Sequence, residues 1–187
     1  MITMDRRSFL AAGLGLLSGP AFAQSSGRTC YGMSFAGLDK GEIKLAEFVG
    51  RPVLVVNTAS LCGFVGQFAG LQTLWERYSA RGLEIIAVPS NDFGGQEPGG
   101  AEEIHHAAAG YGVSFPIAAK ARVLGENAHP FYRWAAVERP RDLPRWNFHK
   151  YLVGRDGRIA DVFSTITDPT SATVMRAVER EFRSMAG

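Results

Sequence analysis

Val53-Leu54-Val55-Val56-Asn57 is an unbroken aliphatic and β-branched run, and Leu83-Glu84-Ile85-Ile86-Ala87-Val88 is a second, nearly continuous one. A strand that is apolar at successive positions, rather than at every second one, is buried on both faces, as inner strands of parallel sheets are. Between the two runs, Phe68, Leu71, Leu74, Trp75 and Tyr78 recur at three-to-four spacing, and the pattern stops at Gly82. That predicts an amphipathic helix beginning near Gly66 and closed by a glycine cap. Strand, helix and strand in this order imply a right-handed crossover between parallel neighbours. The fold class is therefore α/β.

Upstream, Tyr31 to Leu45 alternates in short apolar stretches broken at Asp39-Lys40-Gly41, which predicts an N-terminal hairpin. Downstream, Asn91 to Gly100 is a glycine-rich loop, and Glu102 with Glu103 opens a helix where acids favour the dipole. Phe115-Pro116-Ile117 reads as a short edge element, and Pro130 starts a helix carrying Phe131, Trp134 and Val137. Phe148 to Val153 and Arg158 to Phe163 flank Gly154-Arg155-Asp156-Gly157 as an antiparallel hairpin, and Val174, Val178 and Phe182 mark a final helix. With no internal repeat and no linker, a single domain over residues 24–187 is expected, a central mixed sheet flanked by helices.

Residues 1–23 are set apart. The charged start holds Arg6-Arg7 in Arg6-Arg7-Ser8-Phe9-Leu10, the apolar stretch from Phe9 to Leu17 is too short to span a bilayer, and Ala21-Phe22-Ala23 supplies a small-residue cleavage pattern. This predicts a signal peptide of the twin-arginine type, export to the periplasm, and no membrane span in the mature chain. Across the 187 residues, 20 Lys plus Arg face 18 Asp plus Glu, and no basic stripe gives the footprint of a nucleic-acid binder. Two cysteines, Cys30 and Cys62, are too few for a disulfide scaffold or a four-thiolate zinc site.

Cys62 falls between the strand ending at Asn57 and the helix that starts near Gly66, so its sulfur is expected at the approach to a helix N-terminus. Holding a thiol ionised at neutral pH takes roughly 3 kcal/mol. A helix end supplies about 0.3 to 2 kcal/mol and one charge-assisted hydrogen bond about 1.5 to 3 kcal/mol, so neutral donors suffice without a histidine base.

Three blocks carry a more specific signal: Asn57-Thr58-Ala59-Ser60-Leu61-Cys62-Gly63, then Asn91-Asp92-Phe93-Gly94-Gly95-Gln96-Glu97-Pro98-Gly99, then Trp146-Asn147-Phe148. Together they resemble the signatures of the glutathione peroxidase family, over a span from about Tyr31 to the last helix. The resemblance implies a thioredoxin-like fold and a catalytic tetrad of Cys62, Gln96, Trp146 and Asn147. Gln96 and Asn147 would offer amide N–H groups and Trp146 an indole N–H, all neutral donors for a thiolate. It further implies reduction of hydrogen peroxide, and of organic or lipid hydroperoxides, in response to oxidative stress. The cycle would pass through a sulfenic acid on Cys62, with glutathione or another thiol as co-substrate and no cofactor or metal. Some members carry selenocysteine where this chain has Cys62, a better nucleophile and leaving group. Tetrameric members carry a longer insertion than the short connection between Trp134 and Trp146, so a monomer is expected.

Several positions depart from the family or stay open. Pro89-Ser90-Asn91-Asp92-Phe93 stands where Pro-Cys-Asn-Gln-Phe is usual, and an inward-facing Asp92 would oppose a thiolate. Val65 stands where Thr is common, and Ala108 aligns with the resolving cysteine of thioredoxin-dependent members. Cys30 can then be a substitute resolver, the partner of a permanent bridge, or a small residue in the amino-terminal segment. Arg51, Arg145 and Lys150 are candidates for attracting an anionic thiol. Glu97 and Pro98 read as scaffold, the carboxylate binding backbone donors near Gln96. The Gly94-Gly95 and Gly99-Gly100 pairs lack the Lys and Ser/Thr of a P-loop. Glu102, His105 and His106 share a helical face that reads as surface charge rather than a metal site. His129 and His149 have no sequence partner that would make either a base. The competing function is a non-enzymatic thioredoxin-like redox sensor that binds partner thiols.

Overall fold

A computed structural model describes residues 28–183; the expected signal at 1–23 lies outside the described residues. Six strands and four helices follow in the order β1 (Ser34–Ala36), β2 (Glu42–Lys44), β3 (Val53–Thr58), α1 (Gln67–Tyr78), β4 (Glu84–Pro89), α2 (Ala101–Ala109), α3 (Pro130–Glu138), β5 (Lys150–Val153), β6 (Ile159–Phe163) and α4 (Ala172–Arg183). The main sheet has the order β4-β3-β5-β6. β3 is parallel to β4 and antiparallel to β5, and β5 is antiparallel to β6. The expected mixed sheet is therefore present, with β3 inside it.

Both faces of that sheet are covered, which explains the continuous apolar runs. Val53, Val55, Ile86, Val88, Tyr151 and Val153 point into one cluster with Phe35, Leu45, Phe131 and Trp134, contributed by the N-terminal hairpin and α3. Leu54, Val56, Ile85, Ala87 and Leu152 point into the other with Phe68, Leu71, Leu74, Val174 and Val178, contributed by α1 and α4. Alternation along each strand sends neighbours to opposite layers.

The hairpin of β1 and β2 turns at Gly41, whose φ of +80 favours glycine. α1 runs into a short 3₁₀ turn that ends at Gly82 in the left-handed region, φ +105. The Phe115-Pro116-Ile117 segment is an edge element as expected, bridging Ile117 to Ala87 and Ala118 to Gly37, and so joining the hairpin to β4. Two details differ from the sequence reading. α3 buries Phe131, Tyr132, Trp134 and Ala135, while Val137, at helical spacing, faces solvent. Phe148 lies before β5 rather than in it, with φ +61, because its N–H turns to donate to the Asn57 carbonyl at 2.6 Å. Its ring is buried edge-on against Phe68.

Candidate active site

Cys62 lies beyond the C-terminal end of β3, in a run of turns that leads into α1. Successive three-residue bonds, Cys62 N–H to Ala59 O, Val65 N–H to Cys62 O and Phe68 N–H to Val65 O, wind the chain before the helix proper. This winding turns the Phe64 N–H toward the thiol, and it donates to Sγ at 3.5 Å. Cys62 itself is 2% exposed, while Leu61 and Phe64 on the same turn, and Trp146, are exposed apolar side chains.

Two distant segments converge on this turn. The Leu61 N–H donates to the Gln96 carbonyl at 3.0 Å, which sets the 91–99 loop against the backbone beside Cys62. From the other side, Asn57 Nδ2 donates to the Trp146 carbonyl at 3.1 Å, Asn57 N–H to the His149 carbonyl at 3.3 Å, and Thr165 Oγ1 to the Asn147 carbonyl at 2.8 Å. Asn147 Nδ2 then donates to Gln96 Oε1 at 3.0 Å, closing the ring of segments. That bond leaves the Gln96 amide nitrogen for another acceptor. Trp146 packs on Phe93, ring centroids 5.9 Å apart, and over Gly94, where an added Cβ would meet its ring at 3.4 Å. Gly94 and Gly95 both take φ +63, so this glycine pair serves a turn under the indole.

The four residues expected from the sequence are thus assembled at one end of the sheet. The sulfur's hydrogen-bond donor among the described residues is the Phe64 backbone, and none of the Gln96, Trp146 and Asn147 side chains bonds to it here. Sequence reasoning missed the Phe64 N–H because a backbone donor leaves no mark in residue type. It also missed the struts Asn57 and Thr165, whose partners are remote in sequence.

Other expectations are corrected or resolved. Asp92 turns away from the thiol: Oδ2 accepts the Val123 and Leu124 N–H groups at 2.7 and 3.0 Å, and Arg122 lies 3.8 Å from Oδ1. Cys30 belongs to the hairpin-side cluster and Cys62 to the α1 side, so the sheet separates them, and both are free thiols. Burial pushes the Cys30 thiol up to about 12. It is a core residue, neither a resolver nor half of a bridge. Ala108 is buried in α2.

Of the three cations, Arg51 sits at the start of β3, the far end from Cys62, bonded to the Gly82 carbonyl and 3.5 Å from Glu84. Lys150 is fully buried; its Nζ donates to the carbonyls of Phe148, Thr167 and Ser164 at 2.7, 2.9 and 3.4 Å, and burial pushes it down to about 8. Neither can meet an incoming thiol. Arg145, next to Trp146, is exposed and lines an open cavity with Arg141 and His149.

His149 is buried, edge-on to Tyr151, and burial with the neighbouring Lys150 charge lowers it to about 4. His129 caps α3 through Nδ1, accepting the Phe131 N–H at 3.2 Å. His105 bonds Asp39 at 2.6 Å, and among the described residues no group of three or more acidic, His or Cys side chains could hold a metal. Glu97 does bind backbone, but on the turn that carries Cys62: Oε2 accepts the Ser60 N–H at 2.9 Å and the Ser60 Oγ–H at 3.1 Å.

Comparison with known proteins agrees with this architecture. The model of the glutathione peroxidase family matches residues 30–136, which include Cys62 and Gln96 and stop short of Trp146 and Asn147. A hydroperoxy fatty acid reductase of Synechocystis is 40% identical over 152 residues, covering 75% of this chain and 89% of that one. The solved apo structure titled Trgpx is 28% identical with a TM-score of 0.69, covering 84% of this chain and 97% of the other. A thioredoxin-family thiol:disulfide interchange protein from Chlorobium tepidum, 14% identical, shares the fold at a TM-score of 0.62, with coverage of 84% and 99%. A thioredoxin-like sheet whose β3 delivers Cys62 to Gln96 and Asn147, in a chain related this closely over three quarters of its length, is that of a peroxidase, and the chain belongs to the glutathione peroxidase family.

Proposed function

We propose that this peroxidase reduces hydrogen peroxide and organic hydroperoxides, fatty-acid hydroperoxides among them, through Cys62, at the expense of an external thiol. The observation that carries the reading is the closure of three segments around the sulfur, Leu61 N–H on Gln96 O and Asn147 Nδ2 on Gln96 Oε1. The Cys62 thiolate attacks one peroxide oxygen, the O–O bond breaks, and the departing alkoxide or hydroxide leaves with a proton as alcohol or water. Cys62 becomes a sulfenic acid. One thiol condenses with it, releasing water and forming a mixed disulfide; a second thiol displaces Cys62 and leaves as the disulfide. The two electrons that reduce the peroxide thus come from two thiols.

In this scheme the Phe64 N–H is the standing donor to the sulfur. Gln96, Trp146 and Asn147 supply donors for the thiolate and for the departing oxygen once substrate enters, a role that fits neutral N–H groups. The name of the Synechocystis relative supports fatty-acid hydroperoxides as substrates. The exposed apolar side chains of Leu61 and Phe64, on the turn that carries Cys62, and of Trp146 suit a hydrocarbon chain. The decisive assay is steady-state peroxide consumption by residues 24–187 with glutathione or a thioredoxin system. Sustained turnover that is lost in Cys62→Ser supports the reading; a single stoichiometric oxidation overturns it in favour of a redox sensor.

The same reading includes export by the twin-arginine route and work in the periplasm as a monomer, in a response to oxidative stress. Support comes from Arg6-Arg7 and Ala21-Phe22-Ala23 for export, and from the short connection between α3 and β5 for the monomer. Cell fractionation of the full chain and of Arg6→Lys/Arg7→Lys tests the first, and light scattering of the processed chain the second.

A further inference from the structure

We propose that Glu97 is the positioning residue of the nucleophile: by accepting both the N–H and the O–H of Ser60, its carboxylate sets the turn that carries Cys62, so the reactivity of the sulfur follows the charge on Glu97. The inference deepens the peroxidase reading and rests on it only for what the sulfur does. From the end of β3 to Phe64, the turn has little side-chain anchoring of its own, since Leu61 and Phe64 face outward. Apart from the Phe64 N–H on the sulfur itself, the bonds that hold it, Leu61 N–H to Gln96 O and Cys62 N–H to Ala59 O among them, are backbone to backbone. Glu97 Oε2, at 2.9 and 3.1 Å from Ser60 N and Oγ, is the one carboxylate bonded to it among the described residues.

Glu97 is itself well fixed. Its N–H donates to Asn91 Oδ1 at 2.8 Å, and its carbonyl accepts Lys120 Nζ at 3.2 Å. The residue is 1% exposed, and Oε1 is buried with no partner. The charged groups around it are Lys120, whose ammonium bonds the carbonyls of Glu97, Pro98 and Gly99 rather than the carboxylate, and Glu103, whose carboxylate accepts the Gly100 N–H. The remaining titratable neighbour along the turn is the Cys62 thiol. This buried carboxylate has two donors on one oxygen and none on the other, so Ser60 supplies the hydrogen bonds that favour its ionised form and Lys120 adds only its charge from a distance. Burial pushes its carboxyl above the usual range, against the pull of Ser60 and Lys120. Protonation then falls at milder acidity than for an ordinary glutamate. It converts two charge-assisted bonds into neutral ones of about half the strength.

Glu97→Gln keeps an acceptor oxygen but no charge, and so imitates the protonated state at every pH. Two rates are measured from about pH 4 to about pH 8: kcat/KM for hydrogen peroxide with excess thiol, and alkylation of Cys62 by iodoacetamide. The expected ratio of wild type to Glu97→Gln is about five to ten at the upper end and falls to one at the lower end, in both assays. A purely structural role gives a ratio independent of pH, and either that result or a ratio of one throughout overturns the proposal. Ser60→Ala removes one of the two bonds and guards against a Glu97→Gln that fails to fold: a smaller deficit that also fades with acid is expected, and wild-type rates at all pH values overturn it. Absence of turnover by wild type with every thiol would refute the peroxidase reading, while the alkylation ratio would still decide the clamp.

Discussion

Asn57 and Trp146, 89 residues apart, are joined by a hydrogen bond from the Asn57 amide to the Trp146 carbonyl, 3.1 Å long, at the point where β3 ends and the strand pair of β5 begins. The bond makes the last turn of backbone before Cys62 and the indole-bearing segment a single unit. Asn57→Ala should cost about 1 to 3 kcal/mol of stability, the range for leaving a buried partner unsatisfied. It should also lower kcat/KM for peroxide several-fold. Urea denaturation and initial rates measure the two, and an unaltered rate would detach Trp146 from the chemistry.

Stability should depend on acid through His149. Burial lowers it to about 4 from an ordinary value near 6.5, so the unfolded chain binds a proton that the folded chain refuses between those pH values. The folded state is therefore favoured more above about pH 6.5 and progressively less as pH falls toward 4, by up to the order of 3 kcal/mol. His149→Phe should flatten that part of the curve of unfolding free energy against pH.

Cys30→Ser should leave peroxide turnover with added glutathione at the wild-type level, because the sheet stands between the two sulfurs. Mass spectrometry after peroxide treatment should show no intramolecular disulfide in the wild type. A modest loss of thermal stability is expected from placing a hydroxyl in an apolar layer.

Asp92→Asn should leave the pH dependence of Cys62 alkylation where it is, since the carboxylate caps the Val123 and Leu124 N–H groups instead of facing the thiol. Its cost should fall on stability, through the weakened hold on the 122–124 loop. A shifted alkylation profile would show that the charge reaches the sulfur after all.

The sheet was legible because Val53 to Thr58 and Glu84 to Pro89 are covered on both sides, and that condition writes itself into local sequence as continuous apolar runs. α1 was legible for a similar reason, one buried stripe and a glycine stop. Phe148 was not, because its positive φ answers to a hydrogen bond with Asn57 that no local pattern encodes. Lys150 looked like a surface cation because its burial depends on three carbonyls, two of them in the 164–167 loop. The blocks around Cys62, Gln96 and Asn147 were readable as a set, whereas the partner of Glu97 was not: Ser60 lies 37 residues away, and composition cannot say which loop a carboxylate will grip.

The barrier of β-strands between Cys30 and Cys62 has a consequence for the enzyme's lifetime. With Cys30, the chain's other cysteine, on the far side of the sheet, the sulfenic acid has no internal thiol to shelter it, and its persistence is governed by the supply of small or protein thiols outside. Whenever peroxide outruns that supply, a second oxidation to the sulfinic acid competes with rescue, and that step is not undone by thiols. A burst of oxidant would thus retire this catalyst one molecule at a time, at a rate fixed by its surroundings.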